Sequence, residues 1–97
     1  MTKIKEKLEE LGYEFDVDVE LHSQKTYSIY SKIVEYNSLF LDKTSNKIVL
    51  NIGYGGKVCG YYVCQNCIRH QYEIDALQHA YGVMQNDLNV LKGVSNQ

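Results

Sequence analysis

Between Cys59 and His70 the chain places four side chains that can bind a soft or borderline metal ion. They are Cys59, Cys64, Cys67 and His70, spaced C-x4-C-x2-C-x2-H, and they include every cysteine of the chain. Zinc takes such donors in closed, tetrahedral Cys3His sites. Cys64 and Cys67, two residues apart, form a tight knuckle that offers both sulfurs to one ion. Asn66 is a good helix N-cap, which puts Cys67 in a first helical turn where the helix dipole favours a thiolate. His70 follows at i+3 on the same helix face. Cys59 is the irregular member. It stands five positions before Cys64, so a regular strand points the two at opposite faces. A kink at Gly60 or a turn after Val63 is needed to bring it round; otherwise His22, His79 or water completes the shell. The competing reading is three packed core cysteines, because free cysteine is among the most buried residue types. No second C-x2-C or H-x3-H pair is present to decide between them.

Regular elements must position these residues. Ile4, Leu8 and Leu11 fall at i, i+4 and i+7, which predicts a short amphipathic helix over 2–11, stopped by Gly12 as the residue after its cap. Tyr13, Phe15, Val17, Val19 and Leu21 alternate with Glu14, Asp16, Asp18 and Glu20, predicting a strand over 13–21 with a core face and an acidic face. Residues 26–36 are rich in tyrosine and β-branched residues and read as a second strand. Leu39–Leu41 and Ile48–Ile52 flank a polar stretch, Asp42–Lys47, whose composition predicts a hairpin turn. A further hairpin runs through Gly53–Gly56 into a strand over 57–63. The spacing of Ile74, Leu77, Tyr81, Met84, Leu88 and Leu91 predicts a long helix over 67–92 with those side chains on its buried seam. The seam spans under three heptads, so packing across the sheet is expected rather than a coiled-coil dimer.

Composition narrows the function classes. With 97 residues a single domain, 1–97, is expected, and a structural metal would add substantially to its modest core. No apolar run is long enough to cross a membrane. The opening Met1–Lys7 carries charges with no apolar stretch behind it, so no signal peptide is expected and the thiols are expected in a reducing compartment. The net charge of -2 argues against general nucleic-acid binding. The charge is uneven: residues 1–20 hold three lysines against seven acids, a local charge of -4. Four of those acids are Glu14, Asp16, Asp18 and Glu20. Their stripe reads either as a docking surface for a basic partner or as a charged edge that discourages aggregation.

Several chemistries find no support. The glycines at Gly53, Gly55 and Gly56 fail the P-loop spacing, since Asn51 stands where the first glycine belongs and Val58 where Ser or Thr belongs. A tight hairpin turn is the better reading. There is no G-x-S-x-G and no H-E-x-x-H. Exposed carboxylates such as Asp16 and Asp18 give no reason for the split pKa values of an acid–base pair. A Cys67–His70 nucleophile pair is conceivable, but the clustered cysteines fit a closed metal site better. No enzyme activity is expected.

Two stretches carry a resemblance. The opening Lys7-Leu8-Glu9-Glu10-Leu11-Gly12-Tyr13 and the closing Ile74–Ala80 and Met84–Lys92 resemble short early proteins of phages and prophages of Gram-positive bacteria. With the Cys/His cluster added, the chain is similar to metal-binding type II-A anti-CRISPR proteins of streptococcal phages or prophages. The resemblance covers about a third of the chain, and it transfers no inhibitory site residue by residue. It implies a stoichiometric inhibitor of the RNA-guided type II effector nuclease, working in the host bacterial cytoplasm. That target holds guide and DNA in a positively charged channel. An inhibitor can cover the recognition lobe or the DNA-binding channel, and an acidic strand suits either. No direct nucleic-acid contact is expected, and a monomer is. The alternative is a small zinc-stabilised phage regulator that binds nucleic acid or a host protein.

The expected architecture is therefore α+β: a short N-terminal helix, an antiparallel sheet of four to five strands and a long C-terminal helix packed on one face. A zinc knuckle is expected where the last strand gives way to that helix.

Overall fold

In a computed structural model, residues 2–20, 26–38, 41–64 and 73–95 are described. The chain is α+β. A helix α1 (Thr2–Glu10) leads into strands β1 (Glu14–Glu20), β2 (Thr26–Ser38), β3 (Leu41–Ile52) and β4 (Val58–Cys64), and a long helix α2 (Glu73–Ser95) follows. The strands form one antiparallel sheet in the order β1-β2-β3-β4. Among the described residues, no helix is long and apolar enough to cross a membrane.

Helix α1 ends as its sequence dictates. Gly12 takes a positive φ of 94°, which glycine adopts without steric cost. The Gly12 amide donates to the Glu9 carbonyl at 3.0 Å and the Tyr13 amide to the Leu8 carbonyl at 2.9 Å. This pair of bonds is a Schellman motif, which satisfies carbonyls the helix end would otherwise leave open. Ile4, Leu8 and Tyr13 all enter the main apolar cluster. They join Tyr30, Val34, Ile48, Leu50, Ile52 and Val63 from the sheet and Ala80, Met84 and Leu91 from α2. Leu8, Ile48, Leu50, Met84 and Leu91 are among the fully buried side chains, and such burial contributes ~1.5–3 kcal/mol each.

Three details depart from the sequence expectations. The first is the middle hairpin. Thr44, Ser45, Asn46 and Lys47 pair with Tyr36, Glu35, Val34 and Ile33, so the polar stretch is strand and not turn. The last pair of this hairpin is Ser38 with Leu41. The β-branched and aromatic run in β2 needs a ladder partner along its length, and that outweighs the turn preference of Ser and Asn. Among the described residues β1 reaches only to Ser31 and β4 only to Lys47, so the rest of this hairpin extends beyond both as a two-stranded arm.

The second departure is in β1. Phe15 pairs with Tyr30 and Val17 with Ile29, so Asp16 is the extra residue of a β-bulge. A bulge shifts every later side chain to the other face. Phe15 therefore shares the helix-covered face with Tyr30, their rings meeting edge to face at 5.6 Å. Val17 and Val19, expected beside Phe15 in the core, lie on the opposite face with Ile29 and Tyr27.

The third is the seam of α2. Ala76, Ala80, Met84, Asp87 and Leu91 are buried, whereas Ile74 is 63% exposed and Tyr81 43%. The helix is turned about its axis relative to the seam of Ile74 and Tyr81. Small Ala76 and Ala80 let it approach the sheet, and Asp87 faces inward to meet two partners there.

Candidate functional site

The inward Asp87 anchors a buried polar group that the sequence reading did not single out. Tyr13 Oη donates to Asp87 Oδ2 at 2.8 Å. Lys32 Nζ donates to the same oxygen at 2.6 Å and to the Leu11 carbonyl at 2.8 Å. The ammonium also lies 4.8 Å from the centroid of the Tyr13 ring, within cation–π range. Burial pushes the Tyr13 hydroxyl far above its usual range, helped by its hydrogen bond to Asp87 and by the charge of that carboxylate. The trio ties the α1–β1 turn, β2 and α2 together. Both donors meet the one carboxylate oxygen, Oδ2. Lys32 falls between Tyr30 and Val34 on one strand face and Asp87 beside an apolar helical seam, which is the only sign the sequence carries of this pairing.

The cysteines are placed as follows. Cys59 and Cys64 both belong to β4, and Cys67 and His70 lie outside the described residues. Strands β3 and β4 shift register between Asn51 and Ile52, whose partners are Gly60 and Val58, so Cys59 is the extra residue of a second bulge. Its exposed thiol turns back to the Lys57 carbonyl at 3.7 Å and packs where a side chain on Gly53 would stand. Cys64 is half-buried at the far end of the strand, opposite Lys47. At ~3.3 Å of strand per residue the two cysteines stand about 15 Å apart. Ligands of one tetrahedral zinc, each ~2.3 Å from the metal, must lie far closer than that. The bulge thus supplies the expected irregularity near Gly60 but does not bring Cys59 to Cys64. Among the described residues, no group of three His, Cys, Asp or Glu side chains is arranged to hold a metal. Of the alternative fourth ligands, His22 lies outside the described residues, and His79 is exposed on α2 and meets the Tyr36 ring at 5.6 Å.

The acidic strand is an edge of the sheet, and Glu14, Asp16, Asp18 and Glu20 are all exposed. The bulge divides them. Glu14 pairs with Ser31 and lies on the face away from the helices, and Asp16 reaches across that face to Lys47 Nζ at 3.8 Å. Asp18 and Glu20 fall on the helix side, where Asp18 accepts a hydrogen bond from the Ser28 hydroxyl at 2.6 Å. Burial, then the nearby charges of Glu9 and Asp18, raise the pKa of Tyr30 on that side. Alternation alone puts all four acids in one stripe; the structure makes two pairs.

Among the described residues, nothing covers the face that carries Glu14 and Asp16. Its cross-strand rows run Val17–Ile29–Asn51, Glu14–Ser31–Val49–Tyr62 and Ile33–Lys47–Cys64. Val17, Ile33 and Tyr62 are 51%, 57% and 52% exposed, while Ser31 and Val49 are buried between their neighbours. A groove of about 340 Å³ opens there, lined by Glu14, Asp16, Ser31 and Ile33 and by two lysines, Lys32 and Lys47. No protein-family model, curated protein or solved structure matches this chain.

Proposed function

We propose that this chain is a binding protein that inhibits an RNA-guided type II effector nuclease by stoichiometric attachment to one of its basic surfaces. The observation that carries the reading is the exposed acidic edge strand β1, set beside a sheet face that no described element covers. Acidic side chains held on a rigid strand complement a channel built to receive phosphates, and such complementarity steers association and selects partners. The family resemblance supplies the identity of the target and the phage origin. On the same reading the inhibitor works in the host bacterial cytoplasm and is not an enzyme. A structural zinc held by Cys64, Cys67 and His70 would tie the end of β4 to the segment before α2, with a fourth ligand other than Cys59.

The test is a cleavage assay with the purified, guide-loaded nuclease and increasing amounts of this protein. Inhibition should saturate near one chain per nuclease and weaken as salt rises, because exposed charges are screened over ~8–10 Å at physiological ionic strength. Unaltered cleavage with excess protein, together with no capture of the nuclease by the immobilised chain, would remove the reading.

A further inference from the structure

The bulge at Asp16 has a consequence for where a partner sits. It separates Glu14 and Asp16 from Asp18 and Glu20, and places only the first pair beside the uncovered face. There they border exposed Val17, Ile33 and Tyr62. We infer that the docking surface is the open face of the sheet, and that its occupant is a protein surface with an apolar centre and lysine or arginine along one border. This rests on the proposed inhibitory role and specifies the surface that performs it.

Two observations support that occupant. Val17, Ile33 and Tyr62 are exposed on one face of the sheet, and Ile29 and Val49 link them across the strands; exposed apolar side chains grouped in this way mark interaction sites on soluble proteins. The charge along the β1 border is acidic, with Asp16 offset in part by Lys47 and Glu14 exposed. A second copy of this chain would bring acids to that patch, whereas a basic border meets it with opposite charge. The groove beside Glu14 and Asp16 has room for the end of a lysine or arginine side chain, and Tyr62 offers a ring of the kind that anchors interfaces.

The test uses the guide-loaded type II nuclease as probe and measures binding rates by surface-based kinetics. Val17→Lys with Ile33→Lys puts two charges into the patch without touching the core. Affinity should fall about thirtyfold or more, as for loss of a central interface contact. Gln78→Lys with Gln85→Lys makes the same change in net charge on the exposed flank of α2, and should bind as the unmodified chain does. Glu14→Lys should slow association and flatten its salt dependence while changing dissociation little. If the Val17/Ile33 variant does not fold, judged by its circular dichroism, Tyr62→Ala tests the same patch by truncation alone. Full binding by the open-face variants would overturn the inference while the inhibitory role stands. So would loss of binding confined to Asp18→Lys with Glu20→Lys, which would put the partner on the helix side. Failure of the unmodified chain to bind the nuclease would remove the inhibitory role, and the docking face with it.

Discussion

Asp87 shows how one side chain sets the packing around it. Its carboxylate is buried on α2 and takes hydrogen bonds from Tyr13 and Lys32, which come from two other parts of the chain. Removing one partner of a buried ion pair costs about 3–5 kcal/mol, because the other charge is left without compensation. Asp87→Ala should therefore lower stability by that order in urea unfolding. Lys32→Met should cost less when made in the Asp87→Leu background than alone, since the double change leaves neither charge stranded. The same carboxylate raises the Tyr13 pKa after burial has already done so. The folded state therefore keeps this proton at pH values where the unfolded chain, titrating near ~10, has lost it. Stability from this source is complete below pH ~10 and falls above it, at up to about 1.4 kcal/mol per pH unit. Unfolding between pH 8 and 11 should show a steeper alkaline loss in the unmodified protein than in Tyr13→Phe. Parallel curves for the two would mean that Tyr13 is not held in this way.

At the scale of the element, what the sequence reveals depends on whether the cause is local. The stop of α1 is local: Gly12 and the carbonyls it caps lie within one turn, and both the helix and its end are legible. The Gly53–Gly56 turn is equally so. Gly55 and Gly56 both have φ near 84°, but a side chain at Gly55 meets nothing, whereas one at Gly56 would strike Ile4 Cγ1. Gly55→Ala should cost about 1–2 kcal/mol for the left-handed backbone alone. Gly56→Ala should cost a further ~1–3 kcal/mol, because Ile4 is buried and cannot move aside freely. Equal melting temperatures for the two would show that α1 does not pack on this turn. By contrast, the alternation in β1 is regular in sequence and misleading. Nothing within residues 14–20 announces the bulge at Asp16, which arises from how β1 pairs with β2. The rotation of α2 was hidden for a similar reason: Ile74 and Tyr81 match a helical period, but Asp87 must reach a lysine 55 positions earlier.

At the scale of the whole molecule, one apolar cluster joins both helices to one face of the sheet, and no described element covers the other. Hydrophobic period was enough to anticipate the α+β order, because each long segment repeats its period several times. It could not anticipate how Cys59 and Cys64 are spaced, because the bulge at Cys59 and the extended β4 decide that. The spacing makes a sharp prediction about zinc. If the metal is held by Cys64, Cys67 and His70, purified protein should contain close to one zinc per chain by elemental analysis. Cys64→Ser should lose the metal and lower the melting temperature, since binding energy of a structural ion is folding energy. Cys59→Ser should keep both, because Cys59 lies about 15 Å along β4 from Cys64. The exposed Cys59 thiol should also react with iodoacetamide in the native protein at the same rate with and without a chelator. Zinc lost from Cys59→Ser would require β4 to fold back on itself when the metal binds. A protein without zinc, whose melting temperature is indifferent to chelators, would leave Cys64 as a packing residue at the end of the strand.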